Sequence, residues 1–418
     1  MKRTLLLGIL ALVALLRGRS SPALATRETP PPDPPARAAA RVVVKHPWLS
    51  LAALLLGAGV FGALTVVSGV VPIKASSGHW AITRWFLEFS MARSIATHSL
   101  FIDPPALDDP ALVLRGAGHY ELGCRPCHGA PGTAIPRIPA AMTPRPPELP
   151  PRIPHWAPEE LFSIVKHGIK LTGMPAWPAQ QRDDEVWAMV AFLRRLPELD
   201  AREYGALARG DPTTVADLAP ASEPGPGAGT VPPSLVVDIC ARCHGVDGTG
   251  RGLGAFPVLA GQRSKYLENS LRAYARGERY SGVMGPSAAA LPPESVAAIS
   301  EYYAGLGASA IASPQAGLGQ PTTRGEAIAM RGVPDRDIPA CVECHGPTAT
   351  PRNPAYPVLG GQYADYLVLQ LELLKDRRRG GSPYVRLMHA FVDRLTPDQI
   401  RQVTQYFASS TGPAALRR

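Results

Sequence analysis

Three short runs of the sequence repeat one five-residue pattern. Cys124-Arg-Pro-Cys127-His128, Cys240-Ala-Arg-Cys243-His244 and Cys341-Val-Glu-Cys344-His345 each read C-x-x-C-H, and together they use all six cysteines of the 418 residues. This spacing suits covalent attachment of a c-type haem: two thiols add across the two vinyl groups of one porphyrin, and the adjacent histidine is held under the iron. Three other chemistries compete. A zinc site needs cysteine pairs brought together, and three pairs leave one unmatched. A thioredoxin-like C-x-x-C requires no following histidine. Structural disulfides leave the histidines unexplained. The sequence therefore predicts three covalent haem c groups, attached at Cys124 and Cys127, Cys240 and Cys243, and Cys341 and Cys344. His128, His244 and His345 are the proximal ligands.

A sixth ligand should follow at a fixed distance. Met174, Met284 and Met388 lie 50, 44 and 47 residues after the first cysteine of their motifs, in a chain with only eight methionines. A thioether in that place fills the last iron position and raises the reduction potential. Met91, Met142, Met189 and Met330 break the pattern and read as packing residues. His167 and His389 are the competing nitrogen ligands.

The elements that position these groups are legible as repeats. Phe256-Pro257-Val258-Leu259-Ala260-Gly261-Gln262 is answered by Tyr356-Pro357-Val358-Leu359-Gly360-Gly361-Gln362. Each is followed by a tyrosine–leucine pair, then the methionine, then a helix ending in paired aromatics (Tyr302-Tyr303, Tyr406-Phe407). Thr396-Pro397-Asp398-Gln399 is a capping box with proline at the first helical position. The first copy instead has Gly173-Met174-Pro175, an amphipathic helix over 184–196, and Gly116 and Tyr120 ahead of its motif.

On these residues, 233–410 resemble the dihaem cytochromes of the c-four family, which share Pro-x-Leu-Ala/Gly-Gly-Gln and the late methionine. Residues 107–200 resemble a monohaem class I cytochrome c domain. The resemblance implies that Pro257 and Pro357 sit behind the proximal histidines, their carbonyls accepting the ring N–H. It also implies that Gly116 and Tyr120 lie where the first helix crosses the last. The second copy has Pro232 and Val236 in those two places. The third has Val333 and Asp337, with 324–331 as a displaced first helix.

The expected fold is mostly α: three small class I cytochrome c haem domains in tandem after an N-terminal transmembrane helix. The expected boundaries are 107–200, 233–307 and 323–412, with linkers at 201–232 and 308–322. Such small domains have marginal apolar cores, so the haem is expected to complete them. Residues 48–71 form a 24-residue run without charge, long enough to span a bilayer, with an aromatic juxtamembrane segment at 72–106.

The formal charge of +9 invites a nucleic-acid reading, but its distribution removes it. Residues 1–71 hold eight basic and two acidic residues, leaving only +3 on the other 347, with no basic stripe among aromatics. The basic segment before the apolar run places residues 1–47 in the cytoplasm and the haem domains in the periplasm of a bacterial inner membrane. Residues 1–25, with the short apolar run 5–16, read as a signal peptide, a peripheral segment or an upstream extension.

The leading functional expectation is a membrane-anchored triple-haem cytochrome that passes single electrons between respiratory partners (a terminal oxidase, a quinol-oxidising complex or a dehydrogenase). The alternative is the electron-acceptor subunit of a periplasmic dehydrogenase of alcohols, aldehydes or sugar acids. A peroxidase or sulfur-compound oxidase would need an open or unusually ligated haem, against which a methionine for every haem speaks. The linker after residue 210 suggests a first domain free to swing.

Overall fold

The computed structural model describes residues 47–71, 73–210, 236–306, 323–346 and 353–410. The chain divides into two units, Met1–Ile73 and Lys74–Arg418. In the first, α1 (Pro47–Val67) is 21 residues without a charge and without a buried residue, roughly 32 Å long at 1.5 Å per residue. Its length and composition are those of a membrane span. It stops four residues short of the apolar run, ahead of Gly69 in the left-handed region (φ +64°).

The first long helix of the second unit is α2 (Ala81–His98), within the aromatic juxtamembrane segment. Ile82, Trp85, Phe86 and Phe89 on it are each more than half exposed, whereas Ile95 near its end is buried. Helix α3 (Pro110–Gly123) starts with the Asp109 carboxylate accepting from Ala111 N and with proline at its first position. It leads into α4 (Arg125–His128), then α5 (Arg137–Ala140), α6 (Pro158–His167) and α7 (Asp183–Arg195). Three carboxylates in the first turn of α7 complement the positive end of its dipole. Helices α3 and α7 cross at Gly116, where an added Cβ would lie 2.0 Å from the Ala188 carbonyl oxygen. The Tyr120 ring packs 5.3 Å from Phe192 in the same crossing, where the resemblance placed both residues.

Residues 201–209, expected as linker, form helix α8 (Ala201–Arg209), capped by Asp200 and Glu203 in a reciprocal box. Tyr204 and Ala208 are buried with the core of α3 and α7. The rest of that linker and all of the next lie outside the described residues, as does Pro232.

A wide turn at Val236–Cys240 opens the second helical group, followed by α9 (Ala241–His244), α10 (Ser264–Ala275), α11 (Met284–Ala289) and α12 (Ser295–Gly305). Its core joins Val236, Leu267, Ile299 and Tyr303. The third group is α13 (Thr323–Arg331), α14 (Val342–His345), α15 (Ala364–Lys375), α16 (Val385–Val392) and α17 (Pro397–Ser409). Here α13 is the displaced first helix, packed on α17 through Ile328, Val403 and Phe407. Thr396 and Gln399 cap α17 reciprocally, as their spacing predicts. Among the described residues the β pairing amounts to two isolated bridges.

The first group packs against the second. Arg251 donates to the carbonyls of Ala206 (2.7 Å) and Leu207 (2.9 Å) at the C-terminal end of α8. Arg115 Nε donates to Ala255 O at 3.0 Å. Leu114, Cys243, Ala255 and Phe256 close one apolar cluster across the seam. The second and third groups are joined by two glutamines in reciprocal contact. Gln362 accepts from Val258 N and donates to Val258 O, and Gln262 does the same with Val358, all at 2.9–3.0 Å.

Candidate haem sites

Each C-x-x-C-H run forms a single helical turn, which puts residues one, four and five of the motif on one face. Cys127 N and His128 N bond back to Cys124 O at 3.0 and 2.9 Å; Cys344 N and His345 N do so to Cys341 O at 3.3 and 3.0 Å. A glycine in the left-handed region (Gly129, Gly245, Gly346) ends every turn. Two thiols and one imidazole are therefore fixed together by local backbone alone.

The imidazoles are oriented from behind. Nδ1 of His244 lies 3.2 Å from Pro257 O, and Nδ1 of His345 lies 2.9 Å from Pro357 O, the two proline carbonyls that the resemblance named. His128 uses Pro147 O at 3.0 Å, a partner that the first copy's different loop concealed in the sequence. A carbonyl only accepts, so Nδ1 carries the proton and Nε2 presents its lone pair. Burial holds all three histidines below the usual imidazole pKa, which keeps them neutral and able to bind a metal. Burial also pushes the thiols of Cys124 and Cys243 up to about 12 and those of Cys240 and Cys341 to about 11. Among the described residues no three His, Cys, Asp or Glu side chains converge as an ion site, so the zinc alternative gains nothing.

The chain fits a haem in the second and third groups. One continuous cavity is lined by Cys240, Cys243, His244 and Met284, and by Cys341, Cys344, His345 and Met388. Its wall also carries Arg279, which is buried. That guanidinium donates to the hydroxyls of Tyr266, Ser270 and Tyr366 and to the Gln370 amide. A buried cation among neutral groups is costly unless a carboxylate joins it, and haem propionates supply carboxylates. Arg279 has a counterpart in the repeat, Arg379, which stands after Tyr366 as Arg279 stands after Tyr266, and both donate to the Tyr266 hydroxyl.

The expected methionines differ in setting. Met284 opens α11, Met388 sits within α16, and Met174 lies half-buried in the turn after α6, its N–H 3.1 Å from Thr172 Oγ1. The competing histidines are placed otherwise: His389 Nε2 meets the Arg379 carbonyl at 3.2 Å, and His167 is exposed at the end of α6. Met189 is fully buried packing, as expected, whereas Met330 is 46% exposed. Met142 lies against Gly173, where a Cβ would come within 2.0 Å of its methyl.

Known proteins resemble this chain in two parts. Residues 111–193 match the family of cytochrome c oxidase, cbb3-type, subunit III, and residues 234–304 match the cytochrome c family. A thiosulfate dehydrogenase electron acceptor from Thiomonas intermedia is 38% identical over 170 residues, 41% of this chain and 77% of the relative. This chain is a multihaem cytochrome c. A cytochrome c4 from Thiocapsa roseopersicina is 31% identical over 170 residues, covering 40% of this chain and 85% of that one. Among solved structures, a thiosulfate dehydrogenase from Marichromatium purpuratum is 38% identical with a TM-score of 0.36, covering 42% of this chain and 37% of that chain. The cytochrome's cofactor is covalently bound haem c, and its activity is electron transfer.

Proposed function

We propose that this cytochrome carries three haems and relays single electrons on the periplasmic side of the inner membrane, anchored by α1. Haem is attached at Cys124 and Cys127, at Cys240 and Cys243, and at Cys341 and Cys344. The axial pairs are His128 with Met174, His244 with Met284, and His345 with Met388. The observation that carries the reading is threefold repetition: one turn, two thiols and one imidazole backed by a proline carbonyl, at His128, His244 and His345. Haem held at these residues would supply one-electron redox chemistry. The chain's own work is to hold neutral imidazoles in one tautomer, to exclude water with its cores, and to keep the three groups docked.

The partner reading follows the relatives. Two of them, from Thiomonas intermedia and Stutzerimonas stutzeri, are thiosulfate dehydrogenase electron acceptors at 38% and 35% identity. We infer that this chain accepts electrons from a periplasmic dehydrogenase, with thiosulfate oxidation the first candidate, and passes them to a membrane-bound oxidase. Gentle detergent purification followed by identification of co-purifying subunits tests this. A dehydrogenase that reduces the cytochrome on adding its substrate supports the reading; reduction by a quinol-oxidising complex alone replaces it. A chain beginning at Lys74 behind a cleavable export signal should leave the membrane fraction while keeping three haem additions by mass. If it stays membrane-bound, the anchor is not α1.

A further inference from the structure

We propose that Glu185, in the first helical group, is a positioning residue for Met284 in the second, so that docking of one group sets the sixth-ligand loop of the other. The proposal rests on the reading of Met284 as an axial ligand. Glu185 is 3% exposed and lies in the first turn of α7. Its carboxylate accepts from Trp177 Nε1 at 3.0 Å, in its own group. Across the seam it accepts from Ser281 Oγ and from Gly282 N, both at 2.6 Å. Ser281 Oγ in turn accepts from Met284 N at 3.0 Å and Val283 N at 3.3 Å. A continuous chain of hydrogen bonds thus runs from the first group's carboxylate to the backbone of the methionine.

Two neighbours tighten the grip. Arg182, paired with Glu185 at 3.1 Å, also donates to Tyr280 O at 2.7 Å. Gly282 lies so close to the Trp177 indole that a Cβ would come within 2.2 Å of Nε1. Residues 280–282 are therefore held from outside their own group immediately before Met284. The other two methionines are not held this way. Met174 takes its hydroxyl contact from Thr172 in its own loop, and the residue three before Met388 is Val385, which has no hydroxyl. Carboxylate acceptors make the stronger class of hydrogen bond, and such second-layer contacts orient ligands and tune the metal they bind.

The test uses the full-length, haem-loaded protein in detergent. The readouts are the methionine–iron charge-transfer band of the oxidised form and a redox titration resolving each haem. Met284→Ala is the reference: it should abolish one haem's share of the band. Glu185→Ala and Ser281→Ala should weaken that same share and lower that same midpoint; the third haem should be unaltered in both, and the first haem in Ser281→Ala. Glu185→Gln, which keeps an acceptor oxygen, should recover most of the loss. Ser281→Ala leaves the Glu185–Gly282 and Arg182–Tyr280 contacts in place, so it reports on the link to Met284 even where Glu185→Ala separates the groups. An unaltered band in Met284→Ala overturns the ligand assignment beneath the proposal. A band lost in Met284→Ala but unaltered, with its midpoint, in Glu185→Ala or Ser281→Ala overturns the positioning role itself.

Discussion

His119 is the residue whose surroundings conflict most with its chemistry. It is buried on α3 beside the Trp177 ring (6.0 Å), and its Nδ1 has no hydrogen-bond partner. Burial, with the nearby Arg115 and Arg182, pushes its pKa down to about 3. The folded chain therefore holds it neutral, whereas the unfolded chain protonates it below the ordinary imidazole value. Folded stability should be full above about pH 6.5 and fall as the solution is acidified toward 3, by on the order of 2 kcal/mol at pH 5. Denaturant midpoints of the haem-loaded protein at pH 7 and pH 5 measure this loss. His119→Phe should reduce it, and an undiminished loss in that variant would assign the acid sensitivity elsewhere. The haem-attachment residues were legible at this scale because their chemistry lies within five consecutive positions. Pro147 and Glu185 were not, because neither stands in a repeated pattern and each acts on a residue outside its own helix or turn.

At the scale of elements, helix ends and crossings follow from local signals, and seams do not. The capping box at Thr396 is legible in its spacing, and the glycine at the α3–α7 crossing in the family resemblance. The repeated Gly-Gln after Pro-Val-Leu stood out as a repeat, but its use emerged only when Gln262 and Gln362 were seen to exchange hydrogen bonds with Val358 and Val258. Each glutamine satisfies both backbone groups of a valine in the opposite helical group. Replacing one by alanine leaves a buried N–H and C=O unpaired, a loss of about 1–3 kcal/mol. Gln262→Ala and Gln362→Ala should each loosen the same seam. In a double-mutant cycle of unfolding midpoints, the two losses should couple rather than add. Strict additivity would mean that the two contacts act independently.

For the whole molecule, the question is what completes three small cores. The second and third groups together line one cavity that carries both cysteine pairs, both histidines and both methionines. A cavity of that kind has too little apolar contact across it to be stable without its occupant. Replacing Cys341 and Cys344 together by alanine should remove one haem by mass, melt the third group, and leave the first two haems in place. Far-ultraviolet circular dichroism and proteolysis within 323–410 would follow this. Retained protection in the haem-deficient variant would show that the third core stands by itself. The seam of Arg115 and Arg251 with the second group predicts that the first group stays protected alongside it.

The sequence alone determined the cofactor chemistry, the helical class, the span-length apolar run and the order of the repeats. Each rests on residues close together in the chain: five for a motif, a few for a cap, about twenty for a span. Only the tertiary structure decided that the first group packs against the second, that residues 201–209 are helix rather than linker, and that a carboxylate of one group reaches the methionine loop of another. Those outcomes depend on burial and on hydrogen bonds between residues about 45 to 100 positions apart. Spacing and periodicity carry no information about such pairs until the chain has folded.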